Sequence, residues 1–193
     1  MKDLKYYVDF DDTIVFSKEE ILRILNNKFS MDRKVDEITK WNFSNLHDGI
    51  DSKMVSELFE SDEFWDNVKI NEYAINVLYG KDVYICSCGS DINLMKKKNF
   101  IERNFPKFKI MFTKNGYDKR NFNMSDGIQI DDVTDFLIGT NANKKILLRN
   151  NYDFEWNYIP VNSDIYVAND WYDIEKMIDW WLYCDNKRKK FSR

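Results

Sequence analysis

The chain has 193 residues, of which 44% are hydrophobic and 16% are aromatic. This composition supplies one well-packed core and a small accessory unit, and it excludes a disordered chain. The formal net charge is −4, from 29 basic and 33 acidic residues, so no overall positive field attracts a nucleic-acid polymer. We therefore expect a globular protein with a small substrate.

Cysteine usage and hydropathy indicate the compartment. The three cysteines cannot form a fully paired disulfide framework, and two of them belong to a Cys-Ser-Cys sequence. Neither a signal peptide nor a long apolar span is recognisable. We therefore expect a reducing, cytoplasmic setting without membrane association.

The first predicted element is a buried strand at residues 6–8, because aromatic and β-branched side chains follow one another there. Three carboxylates come directly after it, namely Asp9, Asp11 and Asp12. If the chain stays extended, Asp9 and Asp11 point to the same side and Asp12 points away. Such a pair needs a cation, a set of hydrogen-bond donors or a shared proton, and Mg²⁺ is the simplest of these solutions. A solvated turn after an edge strand is the alternative interpretation.

A helix is predicted at residues 18–29, with Ser17 and Glu20 forming a capping box. The segment that follows is polar and aromatic, with one short helical pattern around residues 54–59 and no strand pattern. We therefore expect a small helical insertion after the first strand. Its aromatic side chains form either a minor core or the wall of a pocket, and the candidates for stacking on a substrate are Trp41, Phe43, Phe64 and Trp65.

From residue 72 onward, predicted helices alternate with predicted strands. Helices are predicted at residues 72–79 and 91–104, strands at 82–86, 108–112, 127–130, 145–148 and 164–167, and a last amphipathic helix follows from about residue 174. Near-continuous apolar strands are typical of a parallel sheet that helices cover on both faces. The predicted fold class is therefore α/β.

Three of the predicted strands end in polar or acidic residues. Besides the aspartates after the first strand, Ser87 and Cys88 follow the second strand, and Asp131 and Asp132 follow the fourth. Ligands of open α/β sheets bind at the carboxyl ends of the strands. The sequence therefore predicts a functional site at this edge of the sheet.

These residues resemble the four motifs of the haloacid dehalogenase (HAD) superfamily of phosphotransferases. The motifs are DFDDT at residues 9–13, Ser87 after a hydrophobic strand, a lysine in the loop before the fourth strand, and IDD at residues 130–132. The stretches FWDNVKINEYAINVL, VYICSCGS, KKNFIERNFP and IQIDDVTD are similar to the 5'(3')-deoxyribonucleotidase type. The resemblance covers about residues 4–135. It implies a HAD-like Rossmannoid parallel sheet flanked by helices, with a core at 1–16 and 69–193 and a helical cap at 17–68.

The resemblance also implies roles for the acidic residues. Asp9 is expected to be the nucleophile that attacks phosphorus, and Asp11 is expected to be the general acid and base. The implied cofactor is Mg²⁺, held by Asp9, by the backbone carbonyl of Asp11 and by Asp132. Asp131 lies next to this set and is the alternative ligand.

The remaining implied roles concern the phosphate. Ser87 is expected to donate a hydrogen bond to a phosphate oxygen, with Cys88 beside it where the nucleotidase type more often has Thr-Ser. Lys119 is expected to be the catalytic lysine that stabilises the transferring phosphoryl group. Lys114 is its rival, because Lys119 precedes Asp131 by a longer gap than the pattern predicts, and Lys114 is otherwise a candidate for substrate binding.

Other catalytic chemistries do not fit the sequence. The single histidine, His47, lies in the insertion and is predicted to be a surface residue, so neither a core Ser-His-Asp triad nor a multi-histidine metal site is possible. A cysteine phosphatase loop at Cys88 would need an arginine where Leu94 stands. Glycine-rich phosphate loops are absent as well.

The expected function is Mg²⁺-dependent hydrolysis of nucleoside monophosphates through an aspartyl-phosphate. Three alternatives remain, namely a phosphatase for another phosphomonoester, a phosphatase for nucleic-acid ends, and a catalytically idle metal-binding protein. The base, the sugar, the position of the phosphate and the oligomeric state stay open, and an oligomer is possible.

Overall fold

The computed structural model describes residues 4–191, and a six-stranded parallel sheet forms the centre of this part. The strands are β1 (Lys5–Val8), β2 (Asp82–Cys88), β3 (Lys109–Thr113), β4 (Gly127–Asp131), β5 (Lys144–Leu148) and β6 (Ile165–Ala168). Their order is β3-β2-β1-β4-β5-β6, and every neighbouring pair is parallel. The predicted α/β parallel sheet is confirmed. Because β1 is central, its carboxyl end lies between those of β2 and β4.

Helices flank the sheet. They are α1 (Ser17–Phe29), α2 (Ser52–Glu60), α3 (Asp62–Asn67), α4 (Glu72–Leu78), α5 (Asp91–Asn104), α6 (Thr134–Leu137) and α7 (Trp171–Phe191), with 3₁₀ helices at Val35–Glu37, Gly116–Asn121 and Glu155–Asn157. Within residues 4–191, none of these helices combines the length and the apolar character that a membrane span requires.

Side chains that alternate along the strands face two different apolar clusters. In β1, Tyr6 belongs to the larger cluster and Tyr7 to the smaller one. In β2, Ile85 belongs to the larger cluster and Cys86 to the smaller one. The period of two thus assigns each strand residue to one face of the sheet, and both faces are covered.

Residues 17–68 carry α1, α2 and α3, and they share the larger cluster with the sheet. The Trp65 ring of α3 lies 5.9 Å from the Phe10 ring and 5.6 Å from the Phe100 ring of α5, measured between centroids. The insertion is therefore packed on the sheet unit through a common aromatic core. The division into a core and a cap at these boundaries stays a prediction.

The predicted capping box of α1 is wrong. Ser17 lies inside the first turn and donates its hydroxyl to Asp11 Oδ1 at 2.8 Å, and Glu20 pairs with Arg23 instead of the backbone. The residue before the helix is Phe16, which offers no side-chain cap. A carboxylate is a stronger acceptor than a neutral group, so Ser17 is drawn toward the acidic loop.

Candidate active site

Three buried carboxylates meet at the carboxyl ends of β1 and β4. The backbone N–H of Asp9 donates to the carbonyl of Ile130 at 2.9 Å, so Asp9 leaves β1 beside Asp131. One carboxylate oxygen each from Asp9, Asp131 and Asp132 lies within 4.8 Å of the other two. Clustered hard oxygen donors of this kind can hold a divalent metal ion.

Lys119 is buried beside two members of this cluster, Asp9 and Asp131. Its ammonium, carried by the 3₁₀ helix Gly116–Asn121, lies 2.6 Å from Asp9 Oδ1 and 2.7 Å from Asp131 Oδ2. Burial acts to lower the pKa of Lys119, but the two carboxylates outweigh it and hold the pKa well above its usual value. Lys114, its rival in the sequence, is exposed and pairs with Asp91 at the surface.

The loop after β1 does not stay extended. The backbone N–H of Ile14 donates to the carbonyl of Phe10 at 2.9 Å, and Asp12 adopts the left-handed conformation with φ of 52°. The side chain of Asp12 therefore turns back toward the site. It accepts hydrogen bonds from the backbone N–H of Lys18 at 2.8 Å and from Lys18 Nζ at 2.6 Å.

Lys18 was not predicted from the sequence. It is the second residue of α1 and its side chain is buried, and its ammonium also lies 2.8 Å from Asp132 Oδ2. Burial acts to lower the pKa of Lys18, but Asp12 and Asp132 together raise it above the usual value. No helical pattern marks this residue, because Asp12 lies in the loop before α1 and Asp132 follows β4.

Asp11 takes a different position from the one expected for an extended chain. Its carboxylate is not among the three that cluster around Lys119. Asp11 Oδ1 accepts the Ser17 hydroxyl, and Asp11 Oδ2 accepts a hydrogen bond from the Lys97 ammonium. The side chains of Asp9 and Asp11 therefore bind different lysines.

Lys97 is the second functional candidate that the sequence reading missed. It lies on α5 with 1% of its surface exposed, and its Nζ donates to Ser87 Oγ at 2.8 Å and to the Cys88 carbonyl at 2.9 Å. The sequence does contain an indication of its burial, because Lys97 shares the helical spacing of three buried residues, Asn93, Phe100 and Ile101. It is the middle residue of a three-lysine run, which usually indicates a solvated face.

The buried charges around Lys119 do not balance. Two ammoniums, those of Lys18 and Lys119, face four carboxylates, those of Asp9, Asp12, Asp131 and Asp132, so two negative charges are left over. Burial raises the pKa of each of these carboxyl groups above its usual value, although the lysines oppose the change. The excess equals the charge of one divalent cation, so this donor set fits Mg²⁺ in charge as well as in ligand type.

A pocket opens beside the cluster and is lined by residues of the insertion and of α5. Trp41 is 52% exposed at its rim, with its ring 5.2 Å from the Trp156 ring in an edge-to-face arrangement. Phe43 is buried and contributes a wall. Lys18 and Lys97 line the same pocket, so its aromatic side adjoins its charged side.

Two of the four aromatic candidates are not available for stacking. Phe64 and Trp65 are buried in the larger cluster, and Trp65 Nε1 donates to the Phe59 carbonyl at 2.7 Å. They belong to the core because α3 turns them toward the sheet. His47 is exposed, as predicted, and packs against the Phe29 ring in a tilted arrangement with centroids 4.4 Å apart.

The cysteines near the site are unsuited to nucleophilic catalysis. Burial raises the pKa of the Cys88 thiol to about 11, and burial also raises that of Cys86. Both thiols are therefore neutral near neutral pH, whereas a nucleophilic cysteine needs a thiolate. Cys88 does line the pocket, and its backbone carbonyl binds Lys97.

No protein-family model and no curated protein sequence matches this chain. Solved structures are similar to it in fold. The HAD-hydrolase YfnB from Bacillus subtilis, solved bound to magnesium, matches with a TM-score of 0.57 and 14% identity over 92% of this chain and 99% of that one. A HAD-superfamily hydrolase from Ehrlichia chaffeensis has a TM-score of 0.52 and 17% identity over 94% and 99%.

A phosphatase from Clostridium difficile gives a TM-score of 0.52 and 14% identity over 92% of this chain and 99% of its own. Matches at such low sequence identity show a common fold and do not identify the substrate. All three matches span more than nine-tenths of the chain. The protein therefore has the α/β fold of the haloacid dehalogenase superfamily hydrolases.

Proposed function

We propose that the protein is a Mg²⁺-dependent phosphomonoesterase that acts through an aspartyl-phosphate. One observation carries the proposal, namely that a buried ammonium, Lys119, fixes Asp9 within a cluster of three buried carboxylates at the strand ends. A carboxylate held in this way is pre-oriented as a nucleophile, and the lysine compensates charge on the group it attacks.

Asp9 and Asp132 are the side chains we assign to the metal ion. Among the described residues, hydrogen bonds reach only Asp9 Oδ1 and Asp132 Oδ2, which leaves Asp9 Oδ2 and Asp132 Oδ1 open. Both oxygens of Asp131 are used, by Lys119 and by the Val133 backbone N–H, so Asp131 is better suited to orienting Lys119. Mg²⁺ bound here would neutralise charge on the phosphate and on Asp9.

The protein side chains then divide the reaction into two steps. Asp9 attacks phosphorus, the ester P–O bond breaks, and Asp11 gives its proton to the departing alkoxide oxygen. In the second step Asp11 takes a proton from water, whose oxygen attacks phosphorus and releases phosphate and free Asp9. Asp11 suits this role because it is separate from the acidic cluster and lies on the wall of the pocket.

The proposed substrate is a nucleoside monophosphate, in keeping with the resemblance to the deoxyribonucleotidase type. Trp41 and Phe43 support it, since they place aromatic surface beside the charged end of the pocket. A base could stack on the exposed Trp41 ring while its phosphate lies near Asp9. The acidic overall charge favours a mononucleotide over a polynucleotide, and the three free cysteines suit a reducing cytoplasmic setting.

The test is phosphate release from a panel of ribo- and deoxyribonucleoside monophosphates, an aryl phosphate and an oligonucleotide 3'-phosphate. We expect phosphate release that depends on Mg²⁺ and is fastest with the deoxyribonucleoside monophosphates. Trp41→Ala should raise KM for nucleotides by about tenfold, since base stacking contributes about 1–3 kcal/mol. It should leave KM for the aryl phosphate nearly unchanged.

Trp180→Ala is the matched control, because Trp180 is an exposed tryptophan on α7 outside the pocket. Release from the aryl phosphate alone would overturn the substrate assignment and keep the mechanism. Salt-sensitive activity confined to the oligonucleotide would instead indicate a nucleic-acid end as substrate. An Asp11→Asn variant that binds Mg²⁺ without turnover would exclude the idle metal-binding alternative.

A further inference from the structure

Lys97 is a buried cation that the four motifs leave without a role. It pairs with one carboxylate, that of Asp11, and its other two contacts are neutral oxygens, the Ser87 hydroxyl and the Cys88 carbonyl. Burying an ammonium is costly, and an apolar residue of similar size at such a position is often as stable or more stable. Fold stability alone therefore gives little reason for a lysine here.

The two lysines next to Lys97 on α5 form ion pairs at the surface. Lys96 pairs with the exposed Asp62, and Lys98 is exposed and lies 3.8 Å from Glu102 one turn along the helix. Only the middle lysine of the run is buried and lines the pocket. Its direction is set by the helical face that also buries Phe100.

Lys97 reaches the site from the face of the sheet opposite to that of Lys119. Its ammonium lies 5.8 Å from the centroid of the Phe10 ring, which belongs to the larger apolar cluster. The segment that carries Lys119 leads directly into Phe122, which packs on the smaller cluster. A phosphoryl group attached at Asp9 would therefore have an ammonium on each side.

The geometry points to Lys97 as a phosphate-binding catalytic residue, an inference that rests on the proposed phosphatase function. In the free protein its ammonium is held by Asp11 and Ser87. A phosphate oxygen that accepts the Ser87 hydroxyl hydrogen would lie beside Lys97 Nζ, since these two groups are 2.8 Å apart. The ammonium then exchanges Asp11 for the phosphate dianion, and Asp11 is released to face the leaving oxygen.

The test compares Lys97→Met with Lys98→Met, measuring kcat, KM and the inhibition constant of inorganic phosphate in the presence of Mg²⁺. We expect Lys97→Met to weaken phosphate inhibition at least about tenfold and to lower kcat/KM about a hundredfold, because a charge-assisted hydrogen bond to a dianion is lost. Lys97→Arg should recover part of the phosphate inhibition. Lys98→Met should match the wild type in all three constants.

Thermal unfolding and circular dichroism decide whether the Met variant is folded, and Lys97→Gln, which keeps a hydrogen-bond donor without the charge, replaces it if it is not. A folded Lys97 variant with wild-type phosphate inhibition and wild-type kcat/KM would overturn the role of Lys97 and leave the phosphatase function standing. If the wild type neither binds phosphate nor hydrolyses any phosphomonoester, the proposed function itself fails. The two failures are thus distinguishable.

Discussion

The Lys119 ammonium lies between Asp9 and Asp131, and the 3₁₀ helix that carries it packs against α6, β2 and β3. Loss of this one charge would leave two buried carboxylates without their partner. Asp9 would also lose the contact that fixes its orientation. Lys114 has neither property, since within residues 4–191 it forms an ion pair with the exposed Asp91 alone.

We predict that Lys119→Met lowers kcat by about 10²–10³-fold, the size of effect that removal of one electrostatic stabiliser has in other enzymes. Lys114→Met should leave kcat within about twofold of the wild type, because exposed ion pairs contribute little. Steady-state phosphate release with Mg²⁺ measures both. A larger loss of kcat in Lys114→Met than in Lys119→Met would identify Lys114 as the catalytic lysine.

The sequence predicted the residues that follow strands and missed those whose role depends on distant contacts. Asp9, Asp131 and Asp132 come together because each is tied to a strand end, and apolar runs reveal strand ends. Lys18 and Lys97 belong to helices, and Lys18 meets Asp132 and Lys97 meets Asp11 across long stretches of chain. Their spacing within a helix shows at most that they face inward.

At the scale of elements, the 3₁₀ helix Gly116–Asn121 depends on one close contact. A Cβ atom at Gly116 would lie 2.2 Å from the Phe136 ring. Lys119 Nζ lies 5.0 Å from the centroid of the same Phe136 ring. A displacement of Phe136 or of the 3₁₀ helix would therefore change the position of the Lys119 ammonium, which holds Asp9.

We predict that Gly116→Ala costs about 1–3 kcal/mol of unfolding free energy, as overpacking does, and lowers kcat about tenfold. Gly80→Ala is the control. Gly80 has φ of +73° and open space around it, so alanine there is strained by about 1 kcal/mol without reaching the site. Chemical unfolding measures the free energy of unfolding of both variants, and phosphate release measures their kcat. Equal losses of kcat in the two variants would contradict this account of Gly116.

Prediction from sequence was best for long or strongly apolar elements. Helix α5 was predicted with its observed bounds, and the strands were predicted to within two residues. The short helices α3 and α6 were missed because four to six residues carry too little periodic pattern. The capping box failed for another reason, since the half-buried carboxylate of Asp11, in the loop before the helix, accepts the Ser17 hydroxyl hydrogen.

At the scale of the whole molecule, the acidic cluster couples folding to pH and to metal binding. Burial raises the pKa of Asp9, Asp12, Asp131 and Asp132 above the usual value of 3.8. Between the unfolded pKa and the raised folded pKa, the folded protein binds more protons than the unfolded chain. The metal-free protein must therefore lose stability as pH rises through the folded pKa values.

We predict that, with a chelator present, the melting temperature falls between about pH 5 and pH 8 through this effect. Mg²⁺ should raise the melting temperature most at the upper end of the range, because it binds the ionised carboxylates of the folded state, and binding at about 100 times Kd adds about 2.7 kcal/mol. Asp132→Asn should reduce both effects. A Mg²⁺ stabilisation that is absent, or that grows as pH falls, would contradict the assigned site.

The most direct measurement is phosphate release from an aryl phosphate by the wild type, Asp9→Asn and Asp164→Asn, each with Mg²⁺ and with chelator. Asp164 is the control because it is an exposed aspartate paired with Lys145 away from the acidic cluster. We expect turnover that requires Mg²⁺ in the wild type and in the control, and none in Asp9→Asn. Turnover that survives the loss of Asp9 or of Mg²⁺ would contradict the proposed mechanism, and so would a folded wild type that binds Mg²⁺ and releases no phosphate.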